Sequence, residues 1–458
     1  MTEHQRFGEY FSFLTGKREQ KSVPKSSALW LMVILVIFCL IHLWSQGKIG
    51  IGLDFYQFWA VGQAVSTMEV DNIYSDEART EIGAEIGKRA LKYPQDKRYQ
   101  KVAKHRKVLE TYSTPFLYTV LSLFHNAQYE IAYQTYILFC IVCSTLAIIL
   151  LCYLLSYSIL STLSFLAILT FMFEPLLFDL QVGNVNQFQL MHIALFAWVR
   201  SWKTSQIRDL AGGLILGLTV MFKPNTILVV VLLLISWSAY RRFKQILITI
   251  LGIIISFLIA IGSSAWFFGS LHCWFEWIEA IKNLPDEIIT LSMGNFSLIM
   301  VLTSRFGPLM TIMSTISLIV LTVIFIWLIL DSNFRREGYI DSDFEWYLDM
   351  HMVGLGCMLY LISARLSWLS YFLLTIPMIL LTFRNSFFLG FHSHSMLYTH
   401  RLLIIASIVF LAARPVVTIL GINQAYPYLI WAGAIILFGI GLNDLRRLPA
   451  SSRFNYRQ

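Results

Sequence analysis

The sequence predicts an all-α polytopic membrane protein, with about 12 transmembrane helices and short juxtamembrane helices in a long first outer loop. Three observations lead to that class. Of 458 residues, 57% are hydrophobic and 14% charged, and mean hydropathy is +0.64; soluble domains carry about 25% charge. Apolar stretches recur along the whole chain, many approaching the roughly 20 residues that a helix needs to cross a bilayer. The Lys and Arg residues that make up the net charge of +8 gather in short runs between these stretches. That pattern marks topology rather than a nucleic-acid surface.

Residues 1–27 are polar, with Lys17, Arg18, Lys21 and Lys25, and read as a cytoplasmic tail. The apolar run 28–47 comes too late for a signal peptide and is followed by no small-residue cleavage site, so it reads as an uncleaved first span. A single transmembrane unit is expected over 28–443, with an outer loop at 48–113, and residues 444–458 form a second cytoplasmic tail. Further candidate spans are 129–155, 159–180, 186–202, 210–223, 225–240, 245–268, 309–330, 351–366, 368–383, 401–420 and 427–443. Short apolar pieces at 114–125 and 297–304 look re-entrant or surface-lying.

Orientation follows from the basic residues of short loops. Arg200, Lys203 and Arg208, then Arg241, Arg242 and Lys244, then Arg335, Arg336 and Arg384, and finally Arg446, Arg447 and Arg453, can all face the cytoplasm together with both termini. The 48–113 segment is basic between Arg79 and Lys107 but is placed outside, because loops beyond roughly 60 residues translocate largely regardless of charge. The basic stretch itself, 79–107, reads as a solvated amphipathic loop helix. Six cysteines show neither zinc-like nor redox spacing, and Cys273 is alone in an expected loop.

With this topology the polar residues gather on one face. Asp54 opens the outer loop in LDFYQFWAVGQAV (53–65), among Phe55, Tyr56, Phe58 and Trp59. YSTP (112–115) closes it. VGNVNQ (182–187), the lysine-proline step Lys223–Pro224, GNFSL (294–298) and LSWLSYFLLTIPMILL (366–381) tip later hairpins. Ionisable residues at membrane depth are expensive and by default suggest a functional site.

These motifs, in this order, resemble those of glycosyltransferase family 87, the polyprenyl-phosphate-sugar-dependent, mannosyltransferase-like enzymes of the glycosyltransferase C superfamily. LDFYQFWAVGQAV with IYSDE (73–77) is similar to the opening aspartate, aromatic pair and following tyrosine. YSTP is similar to a tyrosine-plus-two-prolines motif, VGNVNQ to a glycine-glutamine-x-asparagine motif, and AGGLILGLTVMFKPNTILVVVLLL (211–234) to a glycine-rich helix ending in lysine-proline. GNFSL is similar to an asparagine-x-serine-leucine element and LSWLSYFLLTIPMILL to a tryptophan-histidine-tyrosine helix. This chain has Thr114 where the family has the first proline, Asn184 where it has glutamine, and Ser370 where it has histidine. Segment 384–400, with His392, His394 and His400, has no counterpart and reads as a plain cytoplasmic loop.

The resemblance implies an integral membrane enzyme of a bacterial inner membrane, moving a sugar from a polyprenyl-phosphate donor to an acceptor hydroxyl on a lipid, glycan or protein at the outer face. Mannose is the commonest sugar of the family. Asp54 takes the place of the catalytic base; burial among aromatics would raise its pKa towards working pH. The leaving lipid phosphate gains negative charge, which Lys223, Arg365 and Arg305 could stabilise. Tyr56, Trp59, Tyr112, Asn184, Asn186, Gln187, Asn295, Trp368, Ser370 and Tyr371 would line the substrate cavity. No acidic pair is spaced like a metal clamp, so no metal and no cofactor is expected. Membrane lipids are the other expected partner, and nucleic acid is not one.

Plainer readings stand beside each of these. Asp54 and its aromatics also fit an interfacial belt, Lys223 a snorkelling helix end, and Asn184, Asn186 and Gln187 a satisfied helix break. Gly212, Gly213 and Gly217 fit close helix packing better than a ligand cradle. Glu174 and Asp179 fit partnered structural roles as well as a site. A multi-span transporter and a non-catalytic lipid-linked-sugar binding protein remain as rival functions, although the two halves show no internal repeat.

Overall fold

The computed structural model describes residues 26–448 apart from 69, 71, 286–294, 301, 303–306, 338–341, 365, 389–393 and 423–424. The described chain is helical throughout. In order the helices are α1 (Ser26–Ile49), α2 (Leu53–Thr67), α3 (Asp76–Leu91), α4 (Lys97–His105), α5 (Pro115–Leu121), α6 (Tyr129–Leu154), α7 (Ile159–Met172), α8 (Glu174–Val182), α9 (Asn186–Arg200) and α10 (Gln206–Phe222). They continue as α11 (Ile227–Ala239), α12 (Phe243–Phe268), α13 (Cys273–Lys282), α14 (Pro308–Glu337), α15 (Ser342–Ser363), α16 (Ile376–Phe388), α17 (His394–Leu411), α18 (Arg414–Ile419) and α19 (Tyr426–Arg447). Short 3₁₀ turns at Ser122–Phe124, Pro224–Thr226 and Leu369–Thr375 extend α5 and lead into α11 and α16.

The expectation of 12 spans is corrected. Among the described residues 5 helices are long and apolar enough to cross a membrane, or up to 6 if the bent pair α7 and α8 counts as one. Each predicted apolar stretch does contain helix, but breaks shorten several of them. The 159–180 stretch bends by 57° between α7 and α8, where Pro175 enters the first turn of α8. The 210–240 stretch divides at Lys223, because Pro224 has no N–H with which to continue α10. The 368–383 stretch starts as a 3₁₀ turn. Burial separates rim from centre: the first span is 17% buried over its most apolar window, whereas Leu369–Ser386 is 89% buried.

Close packing of α10 on α12 rests on glycine. A Cβ on Gly213 would lie 2.2 Å from the Thr249 carbonyl oxygen, and one on Gly252 2.4 Å from that of Leu210. Ser256 Oγ donates to Leu214 O at 2.7 Å across the same seam. Small residues let the backbones meet, as apolar solvent offers no hydrophobic drive for helix pairing. The opposite side of α12 carries exposed Leu247, Leu251, Ile254 and Leu258 at helical spacing, a face suited to lipid.

The 48–113 segment holds the short helices expected of it, although its basic stretch 79–107 is divided between two of them rather than forming one solvated helix. It forms α2, α3 and α4. Ser75 caps α3 by accepting from Ala78 N at 3.1 Å, and Asp96 caps α4 by accepting from Tyr99 N at 2.8 Å. Ile82, Ile86, Tyr99 and Val102 are buried between them, and Arg98 pairs with Glu130 of α6 at 2.6 Å. Residues 114–125 become α5 and its 3₁₀ extension, only 10 residues of apolar helix. Within 297–304, residues 298–300 and 302 are helical, and 301, 303 and 304 lie outside the described residues.

Two further expectations change at the far ends of α9, α10 and α15. Arg200 and Arg208 are not merely topology markers, because both are buried. Arg200 bonds Asp209 at 2.6 Å, Glu345 at 2.5 Å and Asp349 at 2.6 Å; Arg208 reaches Asp209 and Glu345, and Arg242 closes on Glu345. Trp237 Nε1 donates to Asp349 at 2.7 Å. His400 does not belong to a plain loop: it is buried on α17, with Nε2 2.9 Å from Asp444 Oδ1. His392 lies outside the described residues. All 6 cysteines are free, and Cys273 is buried at the start of α13.

Candidate functional site

Asp54 occupies the first turn of α2. Tyrosines spaced along one face of α6 set the position of that turn. Tyr129 Oη donates to Ile51 O at 2.7 Å, Tyr133 Oη to Leu180 O at 2.8 Å, and Tyr136 Oη to Asn184 O at 2.7 Å. One helix face therefore satisfies the carbonyls of two separate turns, 51–52 and 180–184, and brings them together. Phe55 fills the space between, its ring centroid 4.5 Å from that of Tyr136.

Gly183 ends α8 with φ 73°, the left-handed conformation that glycine adopts without steric cost. A Cβ there would also lie 2.6 Å from the Phe55 Cβ. This turn aims Asn184 at Asp54: Asn184 Nδ2 donates to Asp54 Oδ2 at 2.6 Å. The amide orientation follows from its other end, where Oδ1 accepts from Val185 N at 2.7 Å and from Lys223 Nζ at 3.0 Å. Lys223 also donates to Asn186 Oδ1 at 2.8 Å, and Asn186 Nδ2 donates to Asp179 Oδ1 at 2.7 Å. The ammonium lies 3.9 Å from the centroid of the Tyr371 ring. A continuous chain thus runs Asp54, Asn184, Lys223, Asn186, Asp179, placing one cation between two carboxylates.

Local structure explains why Lys223 can reach inward. It leaves the end of α10 in an extended conformation, φ −154°, before Pro224. Gln189 Nε2 holds its carbonyl at 3.2 Å, and Thr114 Oγ1 donates to Met221 O at 2.8 Å. Thr114 also caps α5 by accepting from Leu117 N at 3.2 Å.

Asp54 remains partly open, with 28% of its side chain exposed. Burial pushes its carboxyl above the ordinary value, against the lowering pull of Arg106, the Asn184 hydrogen bond and Lys223. Arg106 approaches from the end of α4, with Nη2 3.8 Å from Asp54 Oδ1, while its Nη1 pairs with Glu110. The sequence reading did not single out Arg106 or Glu110. The available signal was their i,i+4 spacing after a helix-capping Asp96, which says nothing about proximity to Asp54.

Residues 111–339, half of the 458-residue chain, match the model of glycosyltransferase family 87. The chain belongs to glycosyltransferase family 87. No curated protein and no solved structure matches it. Membership makes this protein a sugar-transferring enzyme, and its long apolar helices make it a membrane one. It also weighs against the transporter reading. Within the family 87 match lie Asn184, Asn186 and Lys223; Asp54 and Arg106 precede it and Tyr371 follows it.

The other expected site residues of this family 87 member divide into groups. Tyr56 and Trp59 are buried in an aromatic cluster with Tyr99 and Tyr129 rather than presented to solvent. Tyr112 lies beneath the Arg79 guanidinium at 4.7 Å and accepts from Trp277 Nε1 at 3.1 Å, so it fastens α13 to the loop helices. Gln187 is buried in the first turn of α9. Asn295 Oδ1 accepts from Ser367 N at 2.9 Å, and Asn295 bridges to Trp368, latching the segment that carries Ser370 and Tyr371. The Ser370 hydroxyl is buried without a hydrogen-bond partner among the described residues. Arg305 and Arg365 lie outside the described residues. Glu174 takes the partnered role, 2.8 Å from Arg414.

Proposed function

We propose that the protein transfers a hexose, mannose being the first to test, from a polyprenyl-phosphate donor to an acceptor hydroxyl, with Asp54 as general base. The observation that carries this reading is the Asp54–Asn184–Lys223 chain. Asn184 engages Oδ2 of Asp54, which leaves Oδ1 for an incoming hydroxyl. Asp54 takes the acceptor proton as the acceptor oxygen attacks the anomeric carbon. The bond from that carbon to the phosphate oxygen breaks, and the phosphodiester leaves as a lipid phosphate monoester with one more negative charge. Preorganised cations near the leaving oxygen lower the barrier because they need not reorient during the reaction. One base and one leaving phosphate fit a single inverting displacement.

The outer-face location is supported by the opposite end of the same helices. α9 and α10 begin or end at Asn186 and Lys223 on one side and at Arg200 and Arg208 on the other. Lys203, Arg241 and Lys244 accompany that second end. Basic residues favour the cytoplasm, and paired acids weaken this bias little. A bacterial inner membrane, with the polyprenyl chain lying in the bilayer, suits such an arrangement.

The test is transfer from a synthetic polyprenyl-phosphate mannose by the purified protein, set beside nucleotide sugars as donors. The Asp54→Asn variant should lose at least about 100-fold in rate, as expected for removal of a general base. Transfer that persists in this variant, or that uses only nucleotide sugars, overturns the proposal.

A further inference from the structure

The Lys223 ammonium has three N–H groups. Two go to Asn184 Oδ1 and Asn186 Oδ1, at 3.0 and 2.8 Å, and the ring of Tyr371 lies 3.9 Å away. Two of its donors are thus spent on amide oxygens and the ammonium faces an aromatic ring, so Lys223 holds Asn184 and Asn186 in place and supplies positive potential. Arg106 is differently placed. Its Nε is buried without a hydrogen-bond partner, its Nη2 lies 3.8 Å from Asp54 Oδ1, beyond hydrogen-bond length, and its Nη1 pairs with Glu110. A planar guanidinium with unspent donors beside the expected base is suited to bidentate capture of a phosphate.

The segment around Arg106 is held firmly. Arg106 N donates to Val102 O at 2.9 Å and Leu109 N to Arg79 O at 3.2 Å, while Arg79 Nε donates to Leu109 O at 2.6 Å. Gly83 of α3 admits the turn, since a Cβ there would lie 2.1 Å from the Lys107 carbonyl oxygen. Glu110 is therefore a neighbour fixed by the turn, 30% exposed at its side chain against 15% for Arg106. An anion arriving from solvent can displace its carboxylate from Nη1 without unfolding the turn.

We propose that Arg106 binds the phosphate of the lipid-phosphate substrate, and that Glu110 is the internal anion which this phosphate displaces. The proposal rests on the polyprenyl-phosphate reading above and names the residue that grips the donor. Glu110 then acts as a competitor for the guanidinium, so the two residues have opposite effects on affinity. A purely structural ion pair would make both substitutions harmful.

The experiment measures binding of farnesyl monophosphate and of farnesol to the full-length protein in nanodiscs, by tryptophan fluorescence. The wild type should prefer the phosphate. Arg106→Gln should weaken phosphate binding about tenfold or more and leave farnesol binding unchanged, the loss expected for a charge-assisted hydrogen bond. Arg106→Lys should recover part of it. Glu110→Gln should tighten phosphate binding several-fold, a gain that misfolding cannot produce. Retained phosphate preference in Arg106→Gln, or weakened binding in Glu110→Gln, overturns the assignment of Arg106 while leaving the lipid-phosphate donor in place. A wild type that binds farnesol as well as farnesyl monophosphate overturns both. Asp54→Asn should keep the phosphate preference while losing transfer, which separates the base from the phosphate ligand.

Discussion

Asn184 points its amide nitrogen at Asp54, 2.6 Å away, because Lys223 and the Val185 N–H hold the amide oxygen on the other side. An asparagine oriented in this way stabilises the ionised carboxylate and engages one of its two oxygens, the other being the one proposed to meet the acceptor. Replacing it with alanine should lower kcat by about tenfold or more with little change in donor KM, since the lost contact serves the base rather than the lipid. Steady-state kinetics with varied donor checks the split.

The same contact predicts a pH effect. As the proposed base Asp54 would work only when ionised, so activity should rise with pH through its folded pKa, which burial raises above the ordinary value of about 3.9. A hydrogen bond to the charged form lowers a carboxyl pKa. In Asn184→Ala the acid limb of kcat/KM should therefore move to higher pH, and a limb that stays in place or moves down counts against Asp54 as the base.

Stability should respond to Asp54 in the opposite sense. A carboxyl whose folded pKa exceeds its unfolded value contributes stability below the unfolded pKa, and this is lost as pH rises through the folded pKa. Asp54→Asn should raise the thermal midpoint near neutral pH, with the gain shrinking as pH falls into the carboxylate range. Melting curves of both proteins across pH test this trade of stability for function.

Breaking the buried ion network at the far end should do the reverse. Arg200 is surrounded by Asp209, Glu345 and Asp349 at 2.5 to 2.6 Å. Arg200→Met leaves buried Asp349 without its cation, while Arg208 and Arg242 still reach Asp209 and Glu345, and should cost about 3–5 kcal/mol. Thermal or denaturant unfolding in detergent measures that loss. Because the network lies at the other end of α9 from Asn186, protein that remains folded should keep its KM for the donor.

Gly183 gives the sharpest backbone prediction. Alanine would have to adopt φ 73° with its Cβ 2.6 Å from that of Phe55. Left-handed strain alone costs roughly 1–2 kcal/mol, and the clash displaces either α2 or Asn184. Transfer activity of Gly183→Ala should fall well below that of Asn184→Ala, measured at matched amounts of folded protein.

Much of the architecture was legible in local sequence. Runs of apolar residues long enough to cross a bilayer announced the membrane, and the Gly213 and Gly217 spacing announced a seam between close-packed helices. The number of crossings was not legible, because composition does not separate a lipid-facing span from a buried one. Leu369–Ser386 and Ser27–Ile49 are both apolar, yet only the first is mostly buried. Breaks at Phe173 and Lys223 decide which apolar stretch stays long enough to span.

By itself the sequence determined the helical membrane class, the candidate aspartate at position 54 and the lysine-proline step at 223, since each depends on residues near one another in the chain. Only the tertiary structure decided their neighbours. Asp54 and Asn184 stand 130 positions apart, and they meet because tyrosine hydroxyls on α6 bind two distant turns. Arg106 and Glu110 come to the carboxylate through the turn packed on Gly83, and Arg200 becomes a buried ion-pair partner instead of a surface charge. The physical reason is that a side chain's charge and shape are local properties, whereas the partners that satisfy a buried polar group are chosen by the packing of helices distant in sequence.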